Sequence, residues 1–178
     1  GPVLFMPNGD QYMSVYEGGS GGTTWSSILY KRAGGTGAWT YDRYIAQSTN
    51  PSLLYEEPFL LRLLNGHILC AIRQVDGSGQ YTHIWRSTNN LSTWTDEGIP
   101  VTAWPSASRP AIGQNPATGT VMLHHRSVTS GSSAAGGYSY APSPSFTKQT
   151  RSTNSGPTTL FASNGVTGTY GAHYAFPD

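Results

Sequence analysis

Apolar positions in this chain fall in short runs bounded by Pro, Gly, Asn and Ser, and no segment keeps a helical period over about three turns. The runs predict strands, and they recur on one plan: a proline, an apolar run, a Gly turn and a second apolar run. The first copy is Pro2-Val-Leu-Phe-Met-Pro-Asn-Gly9, continuing into Gln11-Tyr-Met-Ser-Val-Tyr16. The second is Pro58-Phe-Leu-Leu-Arg-Leu-Leu-Asn-Gly66, continuing into Ile68-Leu-Cys-Ala-Ile-Arg73. The third is Pro110-Ala-Ile-Gly-Gln-Asn-Pro-Ala-Thr-Gly119, continuing into Val121-Met-Leu-His-His-Arg126, and the fourth is Pro157-Thr-Thr-Leu-Phe-Ala-Ser-Asn-Gly165. Asn-Gly between apolar runs predicts a hairpin in which both turn residues take positive φ. The turn glycines 9, 66, 119 and 165 are separated by 57, 53 and 46 residues.

Each copy adds a third strand, predicted at Trp25–Arg32, Tyr81–Ser87, Tyr138–Ala141 and His173–Phe176. A fourth follows an aromatic, with Trp39, Trp94 and Phe146 lying 30, 28 and 27 residues past their turn glycines. Four antiparallel strands repeated at this period predict an all-β fold, a β-propeller of four-stranded antiparallel blades. The blades fall at about 1–50, 51–104 and 105–153, with an incomplete fourth at 154–178, so about three and a half blades of a single propeller domain are expected. A β-sandwich also produces many short strands, but it has no reason to repeat the Pro–Gly–aromatic spacing.

Composition narrows the class. The 178 residues suffice for one domain with a sizeable core. Only 11% of residues are charged while 12% are aromatic, which argues against disorder. A formal net charge of +1 leaves no electrostatic footprint for nucleic acid or an anionic membrane. No apolar run is long enough for a transmembrane helix. Cys70 is the only cysteine, so no internal disulfide forms and no cysteine-rich metal site exists. The opening Gly-Pro-Val-Leu reads as an internal fragment or a processed chain.

One turn carries a sharper signature. Ser87-Thr-Asn-Asn-Leu-Ser-Thr-Trp94 resembles the Asp-box, or BNR repeat, Ser-x-Asp-x-Gly-x-Thr-Trp, with Asn89 for the Asp and Leu91 for the Gly. Glu57-Pro-Phe-Leu-Leu, Asn65-Gly-His-Ile-Leu and Ser108-Arg-Pro-Ala-Ile are also similar to the sialidase-like propeller superfamily, which includes sialidases and exo-arabinanases. The resemblance covers about residues 1–150. It implies a six-bladed ring, an Asp-box hairpin between the third and fourth strands of a blade, and a site at the mouth of a central channel. A ring of six blades further implies a missing partner: more chain, or a second copy.

The repeat register then shows what each blade places at that mouth. The residues before the repeat prolines are Gly1, Glu57, Arg109 and Gly156. A position before proline is expected to be extended, which would aim Glu57 into the opening, with Arg109 close enough to keep it ionised. Seven and eight residues past the turn glycines lie Tyr16, Arg73 and Arg126, and Glu17, Gln74 and Ser127. Glu57 and Glu17 are therefore the catalytic candidates, and Arg73, Arg109, Arg126, Tyr55 and Trp104 the substrate-binding ones. Paired carboxylates suit glycoside hydrolysis, and arginine forks suit carboxylates and hydroxyl pairs. An ordinary ion pair between Glu57 and Arg109 fits the same residues. The exo-arabinanases open an inner strand with Glu-Pro-Phe-Leu, as Glu57–Leu60 does. Where their second catalytic glutamate is expected, this chain has His125-Arg126.

The resulting expectation is a glycan-processing or glycan-binding module, secreted or extracellular, or else a non-catalytic β-rich structural or adhesion protein. No cofactor is expected. No metal site is expected either, because the five histidines lack His-Glu-x-x-His spacing and adjacent His124 and His125 point to opposite faces of a strand. The glycine clusters at Gly18–Gly22 and Ser130–Gly137 are expected as loops between strands.

Overall fold

The computed structural model describes residues 2–18, 24–98, 110–114, 116–117, 120–128, 134–142 and 158–161, the last three segments mainly as backbone. The strands form three four-stranded antiparallel sheets, each in sequential order. The first holds β1 (Val3–Phe5), β2 (Gln11–Gly18), β3 (Trp25–Arg32) and β4 (Thr40–Ala46). The second holds β5 (Leu54–Arg62), β6 (Ile68–Asp76), β7 (Gly79–Ser87) and β8 (Thr95–Gly98). The third holds β9 (Ala111–Gln114), β10 (Thr120–Val128), β11 (Ala134–Pro142) and β12 (Thr158–Phe161). A 3-10 turn at Ala33–Gly35 is the one helical element among the described residues.

The first two repeat hairpins are built alike. In one, Gly9 N–H donates to Met6 O (3.0 Å) and Met6 N–H to Asp10 O (2.9 Å). In the other, Gly66 N–H donates to Leu63 O (2.9 Å) and Leu63 N–H to His67 O (2.8 Å). Gly9 and Gly66 both have φ of 85°, whereas Asn8 and Asn65 do not take positive φ. The expected two-residue turn is thus a three-residue loop, a turn closed by a left-handed glycine. The asparagine contributes through its side chain instead: Oδ1 of Asn8 accepts from Asp10 N–H, and Oδ1 of Asn65 from His67 N–H.

Side-chain alternation sorts the second sheet into two packing faces. Ile68, Cys70 and Ile72 of β6 join Leu60, Tyr12, Leu29 and Ile45 in a core shared with the first sheet. Leu69 and Ala71, one residue out of phase, join Phe59, Ile84, Ala111, Ile112, Val121 and Leu123 in a core shared with the third. The continuous apolar run of β6 follows, because a strand covered on both faces has no polar side to show. Each fully buried Ile or Leu in these cores contributes about 1.5–3 kcal/mol relative to exposure.

The Ser87–Trp94 segment links β7 to β8, the place its sequence pattern predicts. Asn89 organises it: Oδ1 accepts from Thr93 N–H (3.0 Å) and Ser87 Oγ (3.1 Å), and Nδ2 donates to Thr93 Oγ1 (2.8 Å). An amide therefore does the turn-bonding expected of a carboxylate. Leu91, standing at the glycine position of the pattern, has φ of 70°. Its side chain is only 1% exposed and belongs to the core between the first two sheets, so burial holds a leucine in a conformation that otherwise favours glycine.

Two expectations from the repeat give way. Thr158–Phe161 pairs with β11 as the fourth strand of the third sheet rather than opening a fourth blade. A proline ahead of a short apolar run marks an edge strand as readily as an inner one, since neither end of such a strand needs the missing N–H. Ala134–Gly137, expected within a loop, lies in β11 opposite Val128 to His125, and the register shift against β12 falls between Gly136 and Gly137. Glycine there marks a bulge, not a linker. The predicted strand His173–Phe176 and the turn at Gly165 lie outside the described residues.

Leu91→Gly relieves the left-handed strain of about 1 kcal/mol but removes a buried side chain whose loss costs about 2–5 kcal/mol. The variant is expected to be about 1–4 kcal/mol less stable in urea unfolding. Equal or higher stability would show that the turn backbone, not the core, decides the residue.

Candidate functional site

Strand β5 is interrupted at Glu57-Pro58. Between β5 and β6 the register runs Arg62 to Ile68, Leu60 to Cys70 and Phe59 to Ala71, then shifts so that Glu56 faces Arg73 and Tyr55 faces Gln74. The shift is a bulge, and Pro58 beside it is tolerated because β5 is the edge strand of its sheet. Glu57 takes the extra position with φ of 51°, in the left-handed region. The extended backbone expected for a residue before proline is therefore corrected: the bulge overrides the local preference.

The bulge gathers charge. Counted back from the Gly66 hairpin without interruption, Glu57 would face Arg73; the inserted residue brings Glu56 there as well. Arg73 Nη2 makes a close ion pair with Glu56 Oε2, and Nε lies 3.1 Å from Glu57 Oε2. Nη1 donates to Gln80 Oε1 at 3.4 Å. The side chains of Arg73, Glu56 and Glu57 are 21%, 13% and 18% exposed, so the cluster is sheltered yet reachable. Across the ladder from Arg73 stands Thr82, whose buried hydroxyl makes no hydrogen bond among the described residues. The first sheet braces the bulge from behind: Ser27 Oγ donates to Tyr55 O (3.1 Å) and Ser14 Oγ to Pro58 O (3.2 Å).

The other face of the same strands carries a second polar network. Gln74 Nε2 donates to Asp76 Oδ2 at 2.6 Å, and Gln74 Oε1 meets His83 Nδ1. His83 Nε2 meets Asp96 Oδ1, tying β7 to the outer strand β8. Tyr55 and Trp85 pack their rings against His83 with centroids 6.0 and 5.7 Å away. Burial pushes the Asp76 carboxyl up, but hydrogen bonds from Gln74, Ser78 and Gly79 outweigh it and leave it below the ordinary value. For Tyr55 burial pushes the hydroxyl up, with the charges of Asp96 and Asp76 acting the same way.

Of the residues singled out from sequence, Glu57 and Arg73 come together. Tyr55 does not join them: the bulge turns it to the opposite face, where it is 8% exposed in the core between the first two sheets. A one-residue insertion exchanges the faces of everything beyond it. Glu17 is exposed at the end of β2, an odd number of residues from Ser14, and so lies on the face turned away from the second sheet. There its charge helps to raise the Tyr41 hydroxyl, for which burial is the main cause. Arg126 is in β10 opposite Gly136, at the repeat position of Arg73, and is described as backbone only. Arg109 and Trp104 lie outside the described residues. Glu56 was hidden from sequence reasoning because the Asn65-Gly66 hairpin fixes a register that reaches Glu57; only Pro58 within the strand signals the extra residue. Among the described residues no group of three or more His, Cys, Asp or Glu is placed to hold a metal ion.

The chain aligns with a protein of unknown function from Dyadobacter fermentans at a TM-score of 0.70 and 15% identity, over 93% of this chain and 42% of that one. It aligns with a thermostable family-43 glycoside hydrolase at 0.54 and 11% identity, over 80% of this chain and 50% of that one. A fucose lectin from Kordia zhangzhouensis, in complex with methyl-fucoside, aligns at 0.50 and 8% identity over 76% of this chain and 89% of that one. The hydrolase and the lectin are both propeller-like. The fold is a β-propeller of four-stranded blades. The chain spans half or less of the length of the first two neighbours. No family model matches the sequence, and no curated protein matches it.

The Asp76 network makes a testable contribution to acid stability. A carboxyl whose folded value lies below its ordinary 3.8 stabilises the fold above that pH and loses the contribution as pH falls through the folded value. Asp76→Asn is expected to melt lower than the parent at pH 7, and the difference should vanish toward about pH 2. A difference that persists unchanged in acid would assign it to packing rather than charge.

Proposed function

We propose that this propeller is a carbohydrate-related module and that the Glu56–Glu57–Arg73–Gln80 cluster contacts the glycan. The observation that carries the reading is the bulge that holds two carboxylates and a guanidinium together, sheltered but reachable, at the end of a blade's first strand. Bulges often re-aim side chains beside functional sites, and carboxylate, guanidinium and amide groups are the usual partners of sugar hydroxyls. Structural neighbours named as a glycoside hydrolase and a fucose lectin support the same class. The turn at Ser87–Trp94, resembling an Asp-box in sequence and placed between the third and fourth strands, supports the narrower reading of a sialidase-like propeller. A secreted or extracellular setting suits such a role.

Binding is favoured over hydrolysis by one feature. Both glutamates engage a single arginine, whereas a hydrolase needs one carboxyl on each side of the scissile bond. The hydrolytic reading requires the second carboxyl to come from elsewhere in a completed propeller.

Glu57→Gln separates the roles. It keeps shape and one acceptor but removes the charge facing Arg73. Glycan affinity, read by titration calorimetry against a panel of methyl glycosides, is expected to fall by about tenfold or more, the loss typical of one charge-assisted hydrogen bond. The melting temperature should move by only a few degrees. Unchanged affinity with a large drop in melting temperature would reduce the cluster to a structural ion pair.

A further inference from the structure

The charge balance of the cluster bears on the chemical class of the glycan. Each nitrogen of Arg73 already faces a group of the chain. Nη2 is held by Glu56, Nε faces Glu57, and Nη1 donates to Gln80. A guanidinium recognises a carboxylate by offering a pair of N–H groups to its two oxygens, and here the Nε–Nη2 pair is faced by the chain's own acids. Among the described residues the cluster has two carboxylates and one guanidinium, a net charge of −1 if all are ionised. What it offers a ligand is therefore acceptor oxygens, with one amide donor: Gln80 accepts from Arg73 through Oε1 and keeps Nε2 to give. Adjacent hydroxyls of a sugar, each able to donate and accept, complete such a set. A sugar acid does not, since its carboxylate brings a second acceptor and a repelling charge.

We infer that the site selects neutral glycans and discriminates against sialic and uronic acids, an inference that rests on the cluster being the glycan site. It departs from the expectation that arginine forks at this rim are open to a substrate carboxylate. Here the bulge supplies a second glutamate to the same arginine, and that glutamate sets the selectivity.

The test compares neutral methyl glycosides (fucoside, arabinoside and galactoside) with methyl sialoside and methyl glucuronide by titration calorimetry on the full 178-residue chain. The neutral set is expected to contain a ligand that binds at least about tenfold more tightly than either acid at low salt. Raising the salt should strengthen the acids relative to that ligand by screening the repulsion. Glu56→Gln, with folding checked by circular dichroism, should narrow the gap several-fold by removing one of the two negative charges that repel an acidic ligand. If an acidic glycoside binds as tightly as the best neutral one, the selectivity inference is overturned while the glycan site stands. If neither class binds, the site assignment falls and this inference with it. The wild-type comparison and its salt dependence decide the matter even if the variant does not fold.

Discussion

One extra residue in β5, at Glu57, sets much of the second sheet's character. Pro58 beside it suits the edge of that sheet, because the Leu63–His67 bond places the even-numbered residues from Pro58 to Arg62 in the pairs that give β6 no hydrogen bond. The insertion comes at the cost of a left-handed glutamate, a strain of the order of 1 kcal/mol. Two serine hydroxyls from the first sheet hold the carbonyls on either side, those of Tyr55 and Pro58. The strain is thus fixed by an interface rather than by the strand itself. Distorting the bulge means breaking contact between two sheets.

This arrangement couples architecture to chemistry. The insertion at Glu57 sends Tyr55 into the apolar core and Glu56 to the face of Arg73. Below the bulge, Phe59, Ala71 and Ile84 continue the Arg73 face as packing against the third sheet. The charged cluster therefore sits at the polar end of an otherwise apolar interface. Its groups are positioned by β5 and β6 (rigid, paired strands) rather than by loops, which suits recognition that depends on orientation.

The blade plan was legible in the sequence because strands, hairpins and turns are local. Asn-Gly, the apolar runs and the Ser87–Trp94 pattern each encode their structure within a few residues, and the first eight strands follow the repeat closely. Glu57 and Arg73 were legible as site residues from their repeat positions, although the partner expected for Glu57 was Arg109. Glu56 and the inward turn of Tyr55 were not, because a bulge changes register without changing composition. The φ of Leu91 was equally invisible: its conformation is held by a core assembled from another sheet. At Thr158–Phe161 a local pattern common to inner and edge strands could not say which neighbour would accept it.

Cys70 offers a different kind of consequence. It lies in the middle of β6 with no exposed surface, in the core between the first two sheets, and burial pushes its thiol up, far from the thiolate form. A thiolate is the species that reacts, so in the folded state this sulfur is chemically silent. Labelling reagents reach it only in molecules whose first two sheets have parted. The chain thus carries a built-in clock, and the rate at which one sulfur is consumed reads out how often the interface bracing the bulge comes open.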